Sequence, residues 1–229
     1  MENNIVHLIE AITTWQGECT DAGKRVILLR FKTCNLSCKF CDTAVKMRIT
    51  AEASHSLKDI QKQIDDNFAG LLITGGEPTV RRHLNETIAL LNKLRYPFAN
   101  VETNGYDLIK LIEDVNPEKN VKYIYSPKIE NSEDFDTHID ITKQLIDNPN
   151  VYFKLLKYSD DEYLERYLLS LLVHSESMDI NIRRDGRVWL MPEGGDFNTL
   201  LKNSPEVFDL CEKYHLSFSS RNHIVFGFI

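Results

Sequence analysis

Cys34, Cys38 and Cys41 stand as Cys-x-x-x-Cys-x-x-Cys, directly after an apolar run at residues 26–31. Thiolates are the usual protein ligands of iron–sulfur clusters. Three on one short loop can hold three irons of a [4Fe–4S] cluster and leave the fourth iron open to a small molecule. Other uses of three cysteines fit less well. Structural zinc takes four ligands, commonly in two pairs; no second pair follows, so Cys19 or His55 would have to complete the set. A disulfide is disfavoured because no secretory signal is read, and reducing compartments keep thiols free. Cys19 and Cys211 are therefore expected as free thiols and the cytoplasm as the compartment.

The elements that must position this loop follow from periodicity. Short apolar runs at 26–31, 70–74, 100–103, 122–126, 151–157 and 187–191 read as strands. Between them, helix-like segments are expected at 56–66, 80–94, 106–114, 137–147, 160–174 and 197–214. Alternating strands and helices imply an α/β fold with a mostly parallel sheet. A closed or partial barrel and an open doubly wound sheet both fit this alternation; the expectation taken forward is a partial (β/α) barrel, a single domain over residues 1–229. The acidic stretch Glu130-Asn-Ser-Glu-Asp-Phe-Asp136 reads as a solvated loop.

In such folds, chemistry gathers at the carboxyl ends of strands. Here those ends carry Cys34, Gly75-Gly-Glu-Pro78, Glu102-Thr-Asn-Gly105, Ser126-Pro-Lys128 and Met191-Pro-Glu-Gly194. Any one of these could be ordinary turn chemistry. All of them at one sheet edge point to a site. Lys154, near the end of another apolar run, is not assigned to it. Length and composition agree with a soluble, globular enzyme. The net charge of −7 gives no support for general nucleic-acid binding, and no apolar stretch is long enough to span a bilayer.

The cysteine spacing resembles that of the radical S-adenosylmethionine (radical SAM) enzymes, and Thr74-Gly-Gly-Glu-Pro78 resembles their glycine motif. A narrower resemblance, to the 7-carboxy-7-deazaguanine synthase family, rests on Trp15-Gln-Gly-Glu18, Arg30, Cys41-Asp-Thr43, Glu102-Thr-Asn-Gly105, Ser126-Pro-Lys128, Met191-Pro-Glu-Gly194 and Arg221-Asn-His-Ile-Val-Phe-Gly-Phe-Ile229. These occur in the family's order and cover nearly the whole chain. The resemblance implies ring contraction of 6-carboxy-5,6,7,8-tetrahydropterin to 7-carboxy-7-deazaguanine with loss of ammonia. It implies a radical made from SAM at the cluster, a reductase or flavodoxin-like electron donor, and a homodimer.

It also implies a site. Cys34, Cys38 and Cys41 would hold the cluster. Phe40, Cys41, Asp42, Gly75, Gly76, Glu77, Ser126, Pro127, Lys128, Met191, Pro192, Glu193 and Gly194 would meet SAM. Thr43 would ligate Mg²⁺, a cation that keeps waters and uses substrate oxygens. The pterin would lie against Trp15, Gln16, Gly17, Glu18, Arg30, Thr74, Glu102, His223 and the carboxylate of Ile229, with Glu18, Arg30 and Glu102 as catalytic groups. Gln16 can both donate and accept, and Arg30 offers a fork suited to a carboxylate.

Some positions depart from the family pattern. Thr33 precedes the first cysteine where glycine is common, and would be strained if its φ were positive. Cys19 replaces a glycine and would add a thiol beside the pterin pocket. Arg221 stands where glutamine is often found, and residues 44–56 match no pattern. The alternatives are another radical SAM reaction, such as activation of a glycyl-radical protein, and a non-catalytic metal-binding protein.

Overall fold

The computed structural model describes residues 4–129, 132–158 and 162–228. Strands β1 (Ile5–Leu8) and β4 (Ala53–Ser56) pair antiparallel as a small separate sheet. The main sheet holds β2 (Glu10–Trp15), β3 (Arg25–Phe31), β5 (Gly70–Gly75), β6 (Ala99–Thr103), β7 (Val121–Tyr125), β8 (Val151–Lys157), β9 (Val188–Pro192) and β10 (Ser217–Phe218). Their order is β10-β9-β8-β7-β6-β5-β3-β2. Only β2 with β3 is antiparallel among these pairs. The barrel is thus partial, as expected, with β2 and β10 at its edges.

The connecting helices are α1 (Ala44–Ile49), α2 (Leu57–Asn67), α3 (Arg81–Lys93), α4 (Leu108–Asp114), α5 (Ser132–Leu145), α6 (Glu162–Ser177) and α7 (Phe197–Tyr214), and α8 (Asn222–Phe226) follows β10. Strand β3 shows why the sequence folds this way. Its apolar run is buried on both faces, the pattern of a parallel strand covered on either side. Ile27, Leu29 and Phe31 join the main core with Leu71, Ile73 and Val101 and the helix residues Ile60, Leu84 and Leu111. Each such burial contributes about 1.5–3 kcal/mol. Val26 and Leu28 turn the other way and meet Leu72 and Phe98. Arg30 continues that second face, which is how a strand built for burial carries a guanidinium to the site.

The six strands read from periodicity are all present, within a residue or so at each end. Helix α7 has the expected bounds; the Asp196 side chain accepts from Thr199 N at 3.0 Å to start it. The acidic stretch is a correction: from Ser132 onward it is helix α5, whose first turn carries Glu133 and Asp134, favourable beside a helix N-terminus. Glu130 lies outside the described residues. The elements that periodicity misses are β1, β2, β4, β10, α1 and α8. Helices α1 and α8 bury no residue, so they have no apolar stripe to read.

Candidate active site

One cavity of about 450 Å³ opens at the carboxyl ends of the strands. Pleating places its walls. Arg30 pairs in register with Thr74, Glu102 with Ile124, and Lys154 with Trp189, and alternate residues on each strand face the same way. Arg30, Thr74, Glu102, Lys154, Leu156 and Met191 thereby line one concave surface.

The cysteine loop closes one side. Cys34, Cys38, Phe40, Cys41, Asp42 and Thr43 all line the cavity, and the three cysteines are partly exposed and form no disulfide. Opposite the loop's start, Gly76 N donates to Phe31 O at 2.9 Å and Glu77 N to Thr33 O at 2.8 Å. A Cβ on Gly76 would lie 2.1 Å from Thr33 O, so only glycine lets the two segments meet. From a third strand, Asn104 Nδ2 donates to Asn35 Oδ1 at 2.9 Å and lies 3.9 Å from Cys34 Sγ. Among the described residues, no group of three His, Cys, Asp or Glu side chains converges as donors to one metal ion. A cubane asks for something different, one thiolate per iron set around its corners, and a three-cysteine loop facing a cavity fits that demand. Gly75 and Gly76 line the same cavity as the three cysteines.

Glu77 is fully buried. Its carboxylate accepts from Thr79 N, Thr79 Oγ1, Thr103 Oγ1 and Asn104 N, at 2.6–2.9 Å. It therefore clamps the ends of β5 and β6 together, although the residue also reaches the cavity wall. Burial pushes its carboxyl above the ordinary value despite those donors.

The far side of the cavity is a network of buried charge. Lys154 Nζ donates to Glu18 Oε2 at 2.6 Å and lies 3.2 Å from Glu102 Oε2. Gln16 Nε2 donates to Glu102 Oε1 at 3.4 Å, and Thr74 Oγ1 to Glu102 Oε2 at 3.5 Å. His223 Nε2 stands 3.9 Å from Glu18 Oε1. Gly17 lacks a side chain where His223 approaches; a Cβ there would sit 2.3 Å from Nδ1. Burial alone would raise the Glu18 carboxyl, but Lys154, Arg221 and His223 hold it well below the carboxylate range. Burial would likewise lower Lys154, yet Glu102 and Glu18 keep it above its ordinary value. Arg30 faces the cavity and also pairs with Glu10 on the adjacent strand, which Lys46 Nζ reaches at 2.5 Å.

Lys128 lines the cavity with Nζ donating to Ser126 Oγ at 2.5 Å. Burial and the nearby Lys154 push it down to about 8. The Phe40 ring stacks on Tyr158 with centroids 4.6 Å apart. Ser126 and Glu193 complete this wall.

A few expected residues stand elsewhere. Trp15 is half-exposed at a sheet edge, edge-on to Phe228, while Gln16 and Gly17 beside it line the cavity. Pro127, Pro192 and Gly194 do not line this cavity, and Pro127 lines a small adjoining one with Phe40 and Tyr158. Ile229 lies outside the described residues. Thr33 is not among the residues with positive φ; His83 Nε2 accepts from its N–H at 3.3 Å, and the expected strain does not arise. Cys19 does have a left-handed backbone, with φ of 54°, which explains why glycine suits that position. Its thiol is buried behind the lining rather than in it, close enough to Lys154, Glu18 and Glu102 to feel their charges, and burial pushes it well up. Sequence reading missed Lys154, Glu10, Asn104 and Arg221. Lysine inside an otherwise apolar parallel strand was the available signal, since such burial requires a partner.

Comparison with known proteins bears on this geometry. The profile of the radical SAM superfamily matches residues 28–158. A 7-carboxy-7-deazaguanine synthase of Hyperthermus butylicus is 27% identical over 97% of this chain and 93% of its own length. That of Pyrobaculum aerophilum is 27% identical over 82% of this chain and 79% of its own. One from Neisseria meningitidis is 33% identical over 45% of this chain and 47% of its own. A crystal structure of QueE from Escherichia coli shares the fold, with a TM-score of 0.59 and 17% identity over 96% of each chain.

Proposed function

This chain belongs to the radical SAM superfamily, and from that membership we propose that it is a 7-carboxy-7-deazaguanine synthase. The family implies a [4Fe–4S] cluster and SAM. The observation that carries the narrower reading is the cavity's division into two halves. One half is a cysteine loop beside a glycine backbone; the other is the polar ring of Gln16, Glu18, Thr74, Glu102 and Lys154. A pterin ring, with donors and acceptors along one edge and a carboxylate at the other, matches the second half.

When bound, the cluster and SAM supply the one-electron cleavage that generates the hydrogen-abstracting radical. The chain's own residues bind, orient and exclude water. Cys34, Cys38 and Cys41 hold the cluster. The backbone of Gly75 and Gly76 receives the SAM amino group, Lys128 its carboxylate, and Phe40, Met191 and Glu193 the adenosine. Glu18, kept ionised beside Lys154, and Glu102 accept from the ring N–H and amino groups, while Gln16 supplies both a donor and an acceptor. Thr74 and His223 complete the ring contacts. Arg30 would take the substrate carboxylate, and Thr43 would help hold a Mg²⁺ ion that supplies further positive charge; one hydroxyl could hold the ion only together with oxygens from water and substrate. Positioning matters because a misplacement of about 1 Å can cost on the order of a hundredfold in rate. Loss of ammonia makes the overall conversion redox-neutral, so it would consume no oxidant. The cytoplasm as compartment, a reductase or flavodoxin-like donor and a homodimer belong to the same proposal. Among the described residues, no helix is long and apolar enough to cross a membrane.

The test is anaerobic reconstitution followed by reductant, SAM, Mg²⁺ and 6-carboxytetrahydropterin, with mass spectrometry of the products. Carboxydeazaguanine is the expected product. Cleaved SAM without it would move the reading to another radical SAM reaction. Cys34→Ala is expected to abolish SAM cleavage and lower bound iron.

A further inference from the structure

The synthase reading gives Arg221 no task, yet its guanidinium occupies the centre of the site. Arg221 is buried, at the start of α8. Its Nε donates to Glu18 Oε1 at 3.2 Å, its Nη1 to Gly194 O at 2.7 Å, and its Nη2 to the Asp42 carboxylate. These acceptors lie on segments far apart in the chain. Glu18 belongs to the polar half, Asp42 sits between the last cysteine and Thr43, and Gly194 directly follows Glu193, which lines the wall proposed for adenosine. The arginine's own backbone is fixed as well, since Asn222 N donates to Gly17 O at 2.9 Å.

We propose that Arg221 is a positioning residue whose planar fork holds the polar half of the cavity in register with the cysteine loop, coupling SAM cleavage to turnover. A guanidinium presents donors in a rigid plane, so one group can fix three acceptors at set angles; an ammonium is a flexible point charge. Without the fork, Asp42 and with it Thr43 are free to shift relative to Glu18. The radical would then form with the substrate hydrogen out of line, and the radical would be quenched without product. What is turned over rests on the synthase reading; the register itself does not.

The experiment compares reconstituted wild type with Arg221→Gln, Arg221→Lys, Asp42→Asn and the Arg221→Gln/Asp42→Asn double variant. Iron per chain should stay near wild type, while the Arg221 variants should melt lower because Glu18 loses a buried cationic partner. For both Arg221 variants, kcat/KM for the pterin should fall on the order of a hundredfold, and 5′-deoxyadenosine released per product should rise about tenfold. The double variant should resemble Arg221→Gln, because both changes remove one shared contact. Hydrogen exchange of holoenzyme peptides spanning Glu18, Asp42 and Gly194 should quicken together. If Arg221→Lys restores coupling, or coupling is lost only in step with iron, the proposal is overturned. Wild type that makes no carboxydeazaguanine would remove the synthase reading alone. The exchange data then decide on Arg221, and unchanged exchange at the three segments would overturn it.

Discussion

Glu18 and Lys154 show how far a single pair of side chains can set the character of this site. Both are buried, so each charge is tolerated only through the other and through Glu102 and Arg221. Removing one partner leaves the rest unpaired. Lys154→Met is therefore expected to cost about 3–5 kcal/mol, read by urea denaturation at neutral pH. The pH dependence has a definite sign. A carboxyl held below its ordinary value binds protons more weakly folded than unfolded. Its contribution to stability is present above the ordinary carboxylate pKa and lost as pH falls below it. In Lys154→Met that acid-side loss should be smaller. Cys19 tests backbone strain at the same scale. With φ of 54°, alanine keeps the strain and glycine relieves it, so Cys19→Gly should be more stable than Cys19→Ala by about 1 kcal/mol. Equal stability of the two would remove the strain argument.

At the scale of elements, the site depends on how closely strand ends approach one another. The end of β5 lies so near the segment after β3 that Gly76 cannot carry a Cβ without moving Thr33 and, with it, Cys34. Gly76→Ala is expected to fold, since the change lies beyond the strand cores, but to retain well under half the wild-type iron after reconstitution. Full iron loading in that variant would contradict the close-approach account. Helix α3 braces the same segment from outside: His83 accepts from Thr33 N, and Arg82 Nη1 donates to Thr33 Oγ1 at 3.3 Å. The expectation of strain at Thr33 assumed that the residue before the first cysteine needs a glycine backbone. These contacts hold it in an ordinary conformation instead.

The whole molecule is held by a layer of helices on one sheet face, and a buried polar cluster there links packing to the site. Tyr125 hydroxyl meets His138 Nδ1 at 2.6 Å, and His138 Nε2 lies 3.2 Å from both N and O of Lys128. Burial, with Lys128 nearby, lowers His138 to about 4. The unfolded chain then binds a proton that the folded chain refuses between about pH 6.5 and pH 4. Stability from this residue is complete above pH 6.5 and falls by about 3 kcal/mol as pH drops to 4. His138→Gln should flatten that part of the stability–pH curve, measured by urea denaturation at a series of pH values. An unchanged slope would show that the histidine is protonated freely in the folded state.

Local signals settled much of this protein. The three-cysteine loop, the glycine pair after β5 and the Trp15-Gln-Gly-Glu18 segment are each short, contiguous and chemically distinctive. The alternation of apolar runs with amphipathic stretches fixed the parallel sheet because burial on both faces demands it. From those pieces alone, the cofactor loop and most cavity-lining residues could be named. What sequence could not supply were the partners. Lys154 and Glu18 are 136 positions apart, and Arg221 and Asp42 are 179 apart. A buried charge is decided by whatever the fold sets beside it, and no local pattern records that. The tertiary structure alone turned an ambiguous strand lysine and an unassigned terminal arginine into the charges that hold this cavity together.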